Sequence, residues 1–127
     1  MVKSSFIYLF VFIPFVFTSC NNYEQARNDI NHSVINRNID HLIITRHARC
    51  RMDCRHITIP EIKEILHDGN INYNKSQPND NRGPKYALEG YTHERQHLRI
   101  IFAPENESMV VVTCIDLDNE WACESCN

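Results

Sequence analysis

Apolar residues recur at Ile59, Ile62, Ile65 and Leu66, a spacing that places them on one stripe of a helix. Thr58 with Glu61 three residues on is a capping box that starts this helix, and Pro60 fits its first turn. Gly69 is expected to end it in the usual glycine fashion. Upstream, Leu42, Ile43 and Ile44 form a short apolar run that predicts a strand, and Thr45 is placed to cap a helix from Arg46 to about Arg55. After Gly69 the period changes from helical to two. Residues 71–76 (INYNKS) predict a strand, and 77–84, with two prolines, read as a loop. In 85–91, Tyr86 and Leu88 alternate with Lys85, Ala87 and Glu89. In 96–103, Leu98, Ile100 and Phe102 alternate with His97, Arg99 and Ile101. PENES (104–108) reads as a turn. Residues 109–115 are nearly all apolar and β-branched, which predicts a central strand buried on both faces. The expected fold class is α+β: two N-terminal helices packed on a three- or four-stranded antiparallel sheet.

The first residues follow a different pattern. Lys3 precedes an unbroken apolar run, 6–17, followed by Thr18, Ser19 and Cys20. A positive start, a short apolar core and small residues before a cut describe a secretory signal peptide. The run falls short of the ~20 residues a spanning helix needs. Cys20 after small residues looks like a bacterial lipobox, with Phe17 where leucine is usual. The alternative is a cut elsewhere, with Cys20 an ordinary thiol. The expected organisation is therefore signal peptide over 1–19, lipidated Cys20 and a polar tether over 20–40, and one α+β domain with a cysteine-bearing tail over 41–127. The expected place is the cell envelope, outer membrane or periplasmic face, with the membrane a partner through the lipid on Cys20.

Charge narrows the partners. Without Lys3 the balance is twelve basic against sixteen acidic side chains, a net charge of −4 that gives no global attraction to nucleic acid. Arg46, Arg49, Arg51 and Arg55 cluster in the first helix, while Asp116, Asp118, Glu120 and Glu124 make the tail acidic. Such clusters are usually solvated faces.

Besides Cys20, the mature chain has Cys50, Cys54, Cys114, Cys123 and Cys126. Cys50 and Cys54 share a helix face with Cβ atoms ~6 Å apart, too far to bond each other. Cys123 and Cys126 stand three apart in the tail. Two disulfides joining tail to helix, or a four-thiolate zinc site, both suit these spacings, and export favours disulfides. Cys114 reads as a buried small hydrophobe. Trp121 is expected to pack over the sheet edge and hold the tail.

The runs HARCRMDCRHITIPEIKEIL, INYNKS, KYALEGYTHERQHLRIIFA and VVVTCIDLDNEW, in that order, resemble a bacterial family known as domain of unknown function 4258, over about residues 46–121. The resemblance implies the helix–helix–sheet layout and kinship in fold with RelE-like and BrnT-like ribonuclease toxins. It implies no activity. A ribonuclease of that fold needs cations for phosphate and a general acid or base, and His47 with Arg51 or Arg99 are the candidate catalytic residues. Lys85 is a further cation near His97 and Arg99. Three readings stand: an envelope-anchored binding or structural module without a cofactor, whose ligand is a protein or a small molecule; a nuclease-like enzyme; and a metal-binding or redox protein built on Cys50, Cys54, Cys123 and Cys126.

Overall fold

The computed structural model describes residues 34–126. The signal peptide, Cys20 and most of the expected tether lie outside the described residues. Among the described residues the strands and α-helices follow in the order β1 (Leu42–Ile44), α1 (Arg46–Arg55), α2 (Ile59–Asp68), β2 (Asn70–Ile71), β3 (Tyr86–Tyr91), β4 (His97–Glu105) and β5 (Ser108–Asp116). They form one sheet of order β1-β5-β4-β3-β2. Antiparallel pairing holds except at one edge, where β1 runs parallel to β5.

Both helices start on the caps the sequence predicts. The Thr45 hydroxyl accepts the Ala48 N–H at 3.0 Å and also donates to the Val112 carbonyl at 3.1 Å. Val112 is the extra residue where the β4–β5 register shifts between Ile101 and Phe102. The bulge thus presents a carbonyl to the start of α1 and fixes the helix on the sheet. At α2 the capping box is complete, and the buried Glu61 carboxylate also accepts from the Thr92 hydroxyl at 3.3 Å, tying the helix to the β3–β4 connection. Ile62, Ile65 and Leu66 are buried, whereas Ile59, on the first turn, is exposed. They join Leu98, Ile100, Phe102, Met109, Val111 and Cys114, with Ala48 and Met52 of α1, in one core. Burying a side chain of this size contributes about 1.5–3 kcal/mol.

Four expectations are corrected. The sheet has five strands, not three or four, and β1 is parallel. Residues 71–76 are mostly not strand: Tyr73–Lys75 make a 3-10 turn, because Ser76 Oγ donates to the Asn72 carbonyl at 2.7 Å and accepts the Ala87 N–H at 2.9 Å. That side chain takes the bonding place a longer strand would use. Residues 104–108 are not all turn, since β4 runs on through Pro104 to Glu105 and only Asn106 and Glu107 reverse the chain, Asn106 at φ +51. β5 is buried on one face only: Met109, Val111, Cys114 and Asp116 face the helices, and the residues between them are half-buried.

Gly69 ends α2, but at φ −66, outside the left-handed region. Its requirement is space. A Cβ there would stand 2.5 Å from the Ile65 carbonyl oxygen. The left-handed cap is instead His56, at φ +55 after α1.

The folded domain also begins earlier than His41. Ile35 is fully buried in the core, and the Arg37 guanidinium donates through Nη1 to the carbonyls of Leu66, His67 and Gly69 at 3.0, 3.1 and 2.8 Å. Those are carbonyls at the C-terminal end of α2, where a cation is favourably placed. Residues expected as tether from position 34 onward are thus clasped to the domain.

Candidate functional site

Two groups of side chains gather the chemistry of this domain, on opposite sides of the sheet.

The first lies on α1 and the tail. Cys50 bonds Cys126 and Cys54 bonds Cys123, with Cα separations of 5.5 and 5.9 Å. The cross-links are nested. One helix turn separates the two helix cysteines and a short tail turn, Glu124–Cys126, separates the other two, so the pairs align antiparallel. Closing loops of 76 and 69 residues, each bond alone is worth about 4 kcal/mol in the chain-entropy picture. The tail is steered to this position by Asp116. Its buried carboxylate accepts the Trp121 indole N–H at 2.9 Å, the Asn119 amide at 3.0 Å and the backbone N–H groups of Asp118 and Asn119. Burial raises the Asp116 pKa, but these donors outweigh it and hold it below its ordinary value. Trp121 meets the His56 ring edge-on, centroids 5.2 Å apart. Trp121 therefore holds the tail against the helix cap, not over the sheet edge as expected.

Beside the Cys50–Cys126 bond, Arg46, His47 and Ser125 line a hollow of about 470 Å³. Arg51 follows one turn on. Arg55 turns inward, donating to the Cys114 carbonyl. Cys114 is unbridged and fully buried, and burial pushes its thiol up to about 11, so it stays protonated and packs as a hydrophobe, as expected. With their sulfurs paired, Cys50, Cys54, Cys123 and Cys126 present no thiolate, and no group of three or more His, Cys, Asp or Glu arranged for a metal ion occurs among the described residues.

The second group lies on the face of the sheet turned away from the helices. Leu98, Ile100 and Phe102 of β4 point into the core, so His97 and Arg99 point to the other side. Register sets their neighbours: Glu89 stands opposite Arg99 and Tyr91 opposite His97. Arg99 Nε donates to Glu89 Oε1 at 2.5 Å, and Asn72 Nδ2 donates to the same oxygen at 2.9 Å. Burial raises the Glu89 pKa, yet the donors from Arg99 and Asn72 prevail and keep it below its ordinary value. Tyr91 and His97 stack with centroids 4.2 Å apart, and His97 Nδ1 lies 3.2 Å from Asp118 Oδ1. At the outer edge, Asn70, Asn72, Asn74, Tyr73 and Glu89 bound a hollow of about 420 Å³.

The candidate catalytic residues are therefore not one site. His47 and Arg51 sit on α1, while Arg99 projects from the opposite face and is committed to Glu89. Lys85 does not join Arg99 either, since its amine is 2.5 Å from Asp80 Oδ2 within the 77–85 loop. Sequence reasoning paired His97 with Arg99 but missed Glu89, Tyr91, Asn72 and Asp118. The alternation of 85–91 carried the signal for Glu89 and Tyr91 on that face.

Residues 44–116 match the family described as domain of unknown function (DUF4258). The chain belongs to this family. The matched span runs from the end of β1 to the end of β5. It holds Cys50 and Cys54 but stops short of Cys123 and Cys126. No curated protein and no solved structure matches the chain.

Proposed function

We propose that this DUF4258 domain is an exported, lipid-anchored binding module that presents the open face of its sheet to a ligand. The pairing of all four helix and tail cysteines carries the reading. Disulfides in so small a domain form and persist in oxidising compartments and are rare where thiols are kept reduced. The leader agrees with it independently: Lys3, the apolar run 6–17 and Cys20 after Thr18 and Ser19. On this reading Cys20 carries the lipid and the domain faces the periplasm or the outer membrane. The ligand is a protein or a small molecule. The negative balance of the mature chain argues against nucleic acid.

One observation favours a second reading, an RNA-cleaving enzyme of the RelE-like type. His97, with Nδ1 3.2 Å from Asp118 Oδ1, has an orienting carboxylate, one of the parts acid–base catalysis needs, and Arg99 on the same face would supply a cation on leaving Glu89. His47 with Arg51, one turn apart on α1, is the alternative pair for that chemistry on the other side of the sheet. The zinc alternative requires the same four sulfurs as thiolates in place of two disulfides.

Replacing Cys20 with Ser tests the proposal. The variant should leave the membrane fraction and lose metabolic labelling by palmitate. Retention of the variant in the membrane contradicts lipid anchoring. Cleavage of RNA by the purified protein, lost in His97→Ala, would instead support the enzyme reading.

A further inference from the structure

We propose that the hollow bounded by Asn70, Asn72, Asn74, Tyr73 and Glu89 is a saccharide site, taking a neutral, hydroxyl-rich ring. The proposal rests on the reading of the protein as a binding module and names the ligand class.

The lining selects the class by elimination. Small-molecule pockets are mostly apolar with a few placed polar groups. This one is richer in polar groups: three primary amides, a carboxylate and a phenol ring, with Ile71 as the aliphatic side chain among them, surround about 420 Å³. An apolar ligand would strip water from these groups and return no hydrogen bonds. An anion would meet the Glu89 carboxylate with no cation in the lining. A cation would find the Glu89 charge already matched by Arg99, Nε to Oε1 at 2.5 Å. A sugar hydroxyl is donor and acceptor at once, and each asparagine amide offers two donors and an acceptor to match it.

The geometry is held in advance of binding. Ile71, buried beneath, pairs with Leu88 and sends Asn70 to the open face, opposite Glu89. The Asn72 N–H donates to the Ala87 carbonyl at 2.8 Å, and its carbonyl accepts from Lys75 N at 3.1 Å and Ser76 Oγ at 2.7 Å. The 3-10 turn that displaces the expected strand is therefore stitched down on both sides, and it carries Tyr73 and Asn74 to the rim. Asn72 and Arg99 both bond Glu89 Oε1, and among the described residues no hydrogen bond reaches Oε2, the oxygen that would accept from a ligand hydroxyl. The Asn70 and Asn74 amides carry no hydrogen bond among the described residues. Further along the face that carries Glu89, Tyr91 is 68% exposed with one side of its ring stacked on His97, which leaves the other side for the apolar face of a sugar. Fixing donors in place before binding lowers the ordering cost that weakens small-ligand sites.

The test is titration of the disulfide-intact domain with chitotriose, cellotriose and maltotriose, followed by amide chemical shifts. At least one should bind with a Kd on the order of 1 mM, with shifts confined to residues 70–76, 87–91 and Arg99. The double variant Asn70→Ala, Asn74→Ala removes two exposed amides without touching the Asn72–Glu89–Arg99 chain, so its spectrum should otherwise match the parent. It should weaken binding about tenfold, a loss of roughly 1.4 kcal/mol, and Glu89→Gln should weaken it as well. Absence of shifts with all three sugars overturns the site while leaving export and anchoring, read from Cys20 and the disulfides, untouched. Shifts elsewhere on the domain, affinity unchanged in the double variant, or tighter binding of inorganic phosphate would each overturn it too.

Discussion

Trp121 donates its indole N–H to the Asp116 carboxylate at 2.9 Å, and this contact returns the tail to α1. It lies just beyond the end of β5 and ahead of both tail cysteines in the chain, so it directs the tail toward α1 independently of the sulfur bonds. Trp121→Phe keeps a ring against His56 but removes the donor. Asp116 Oδ2 would keep the Asn119 amide but lose a donor to its charge, which should cost about 1–3 kcal/mol. The loss should appear as a lower melting midpoint in the presence of reductant, where the disulfides no longer mask it. An unchanged midpoint under reduction would show that the tail is held by sulfur alone.

Ile62 is fully buried between α2 and the sheet. Ile62→Ala should lower stability by about 2–5 kcal/mol in denaturant titration, since the neighbours cannot close the cavity completely. Ile59, on the same predicted stripe but exposed, should tolerate alanine with a change of roughly 0.5 kcal/mol or less. Equal losses at both positions would contradict the packing described.

Acid should destabilise the domain in a defined window. Lys85 and the backbone N–H of Arg82 hold Asp80 down to about 2 from an ordinary 3.8. The His93 backbone N–H lowers Glu64, and Glu89 and Asp116 are lowered by donors that outweigh their burial. A carboxylate whose folded pKa is depressed contributes stability above its unfolded value, and that stability is lost as pH falls through the folded one. The melting midpoint should therefore drop between about pH 4 and pH 2. Asp80→Asn should make the drop shallower. A midpoint that rises on acidification would refute these carboxylate assignments.

What could be read from the chain tracks the range of the forces involved. Thr45 and Thr58 cap their helices through partners three residues away, so both starts were legible. The alternation in β3 and β4 fixed which side chains share a face. The parallel edge was not legible, because Leu42–Ile44 pair with residues 67 positions on, Leu42 with Met109, and nothing local specifies that. Residues 71–76 have a strand-like composition, but Ser76 and Asn72 divert the backbone through side-chain bonds. Ile35 and Arg37 stand in a stretch rich in asparagine, and only the carbonyls at the end of α2 explain why an arginine is buried there. For the site, spacing placed His97 beside Arg99, but Glu89, Tyr91 and Asp118 required the strand register and the path of the tail.

The most direct measurement is a peptide map of protein purified from the envelope without reductant. The account predicts two cross-linked species, Cys50 with Cys126 and Cys54 with Cys123, an intact mass lighter than the reduced chain by four hydrogens, and Cys114 the only thiol of the folded domain that alkylates, and only after denaturation. Four further free thiols, or one zinc per chain released by chelation with all four thiols then reactive, would contradict it.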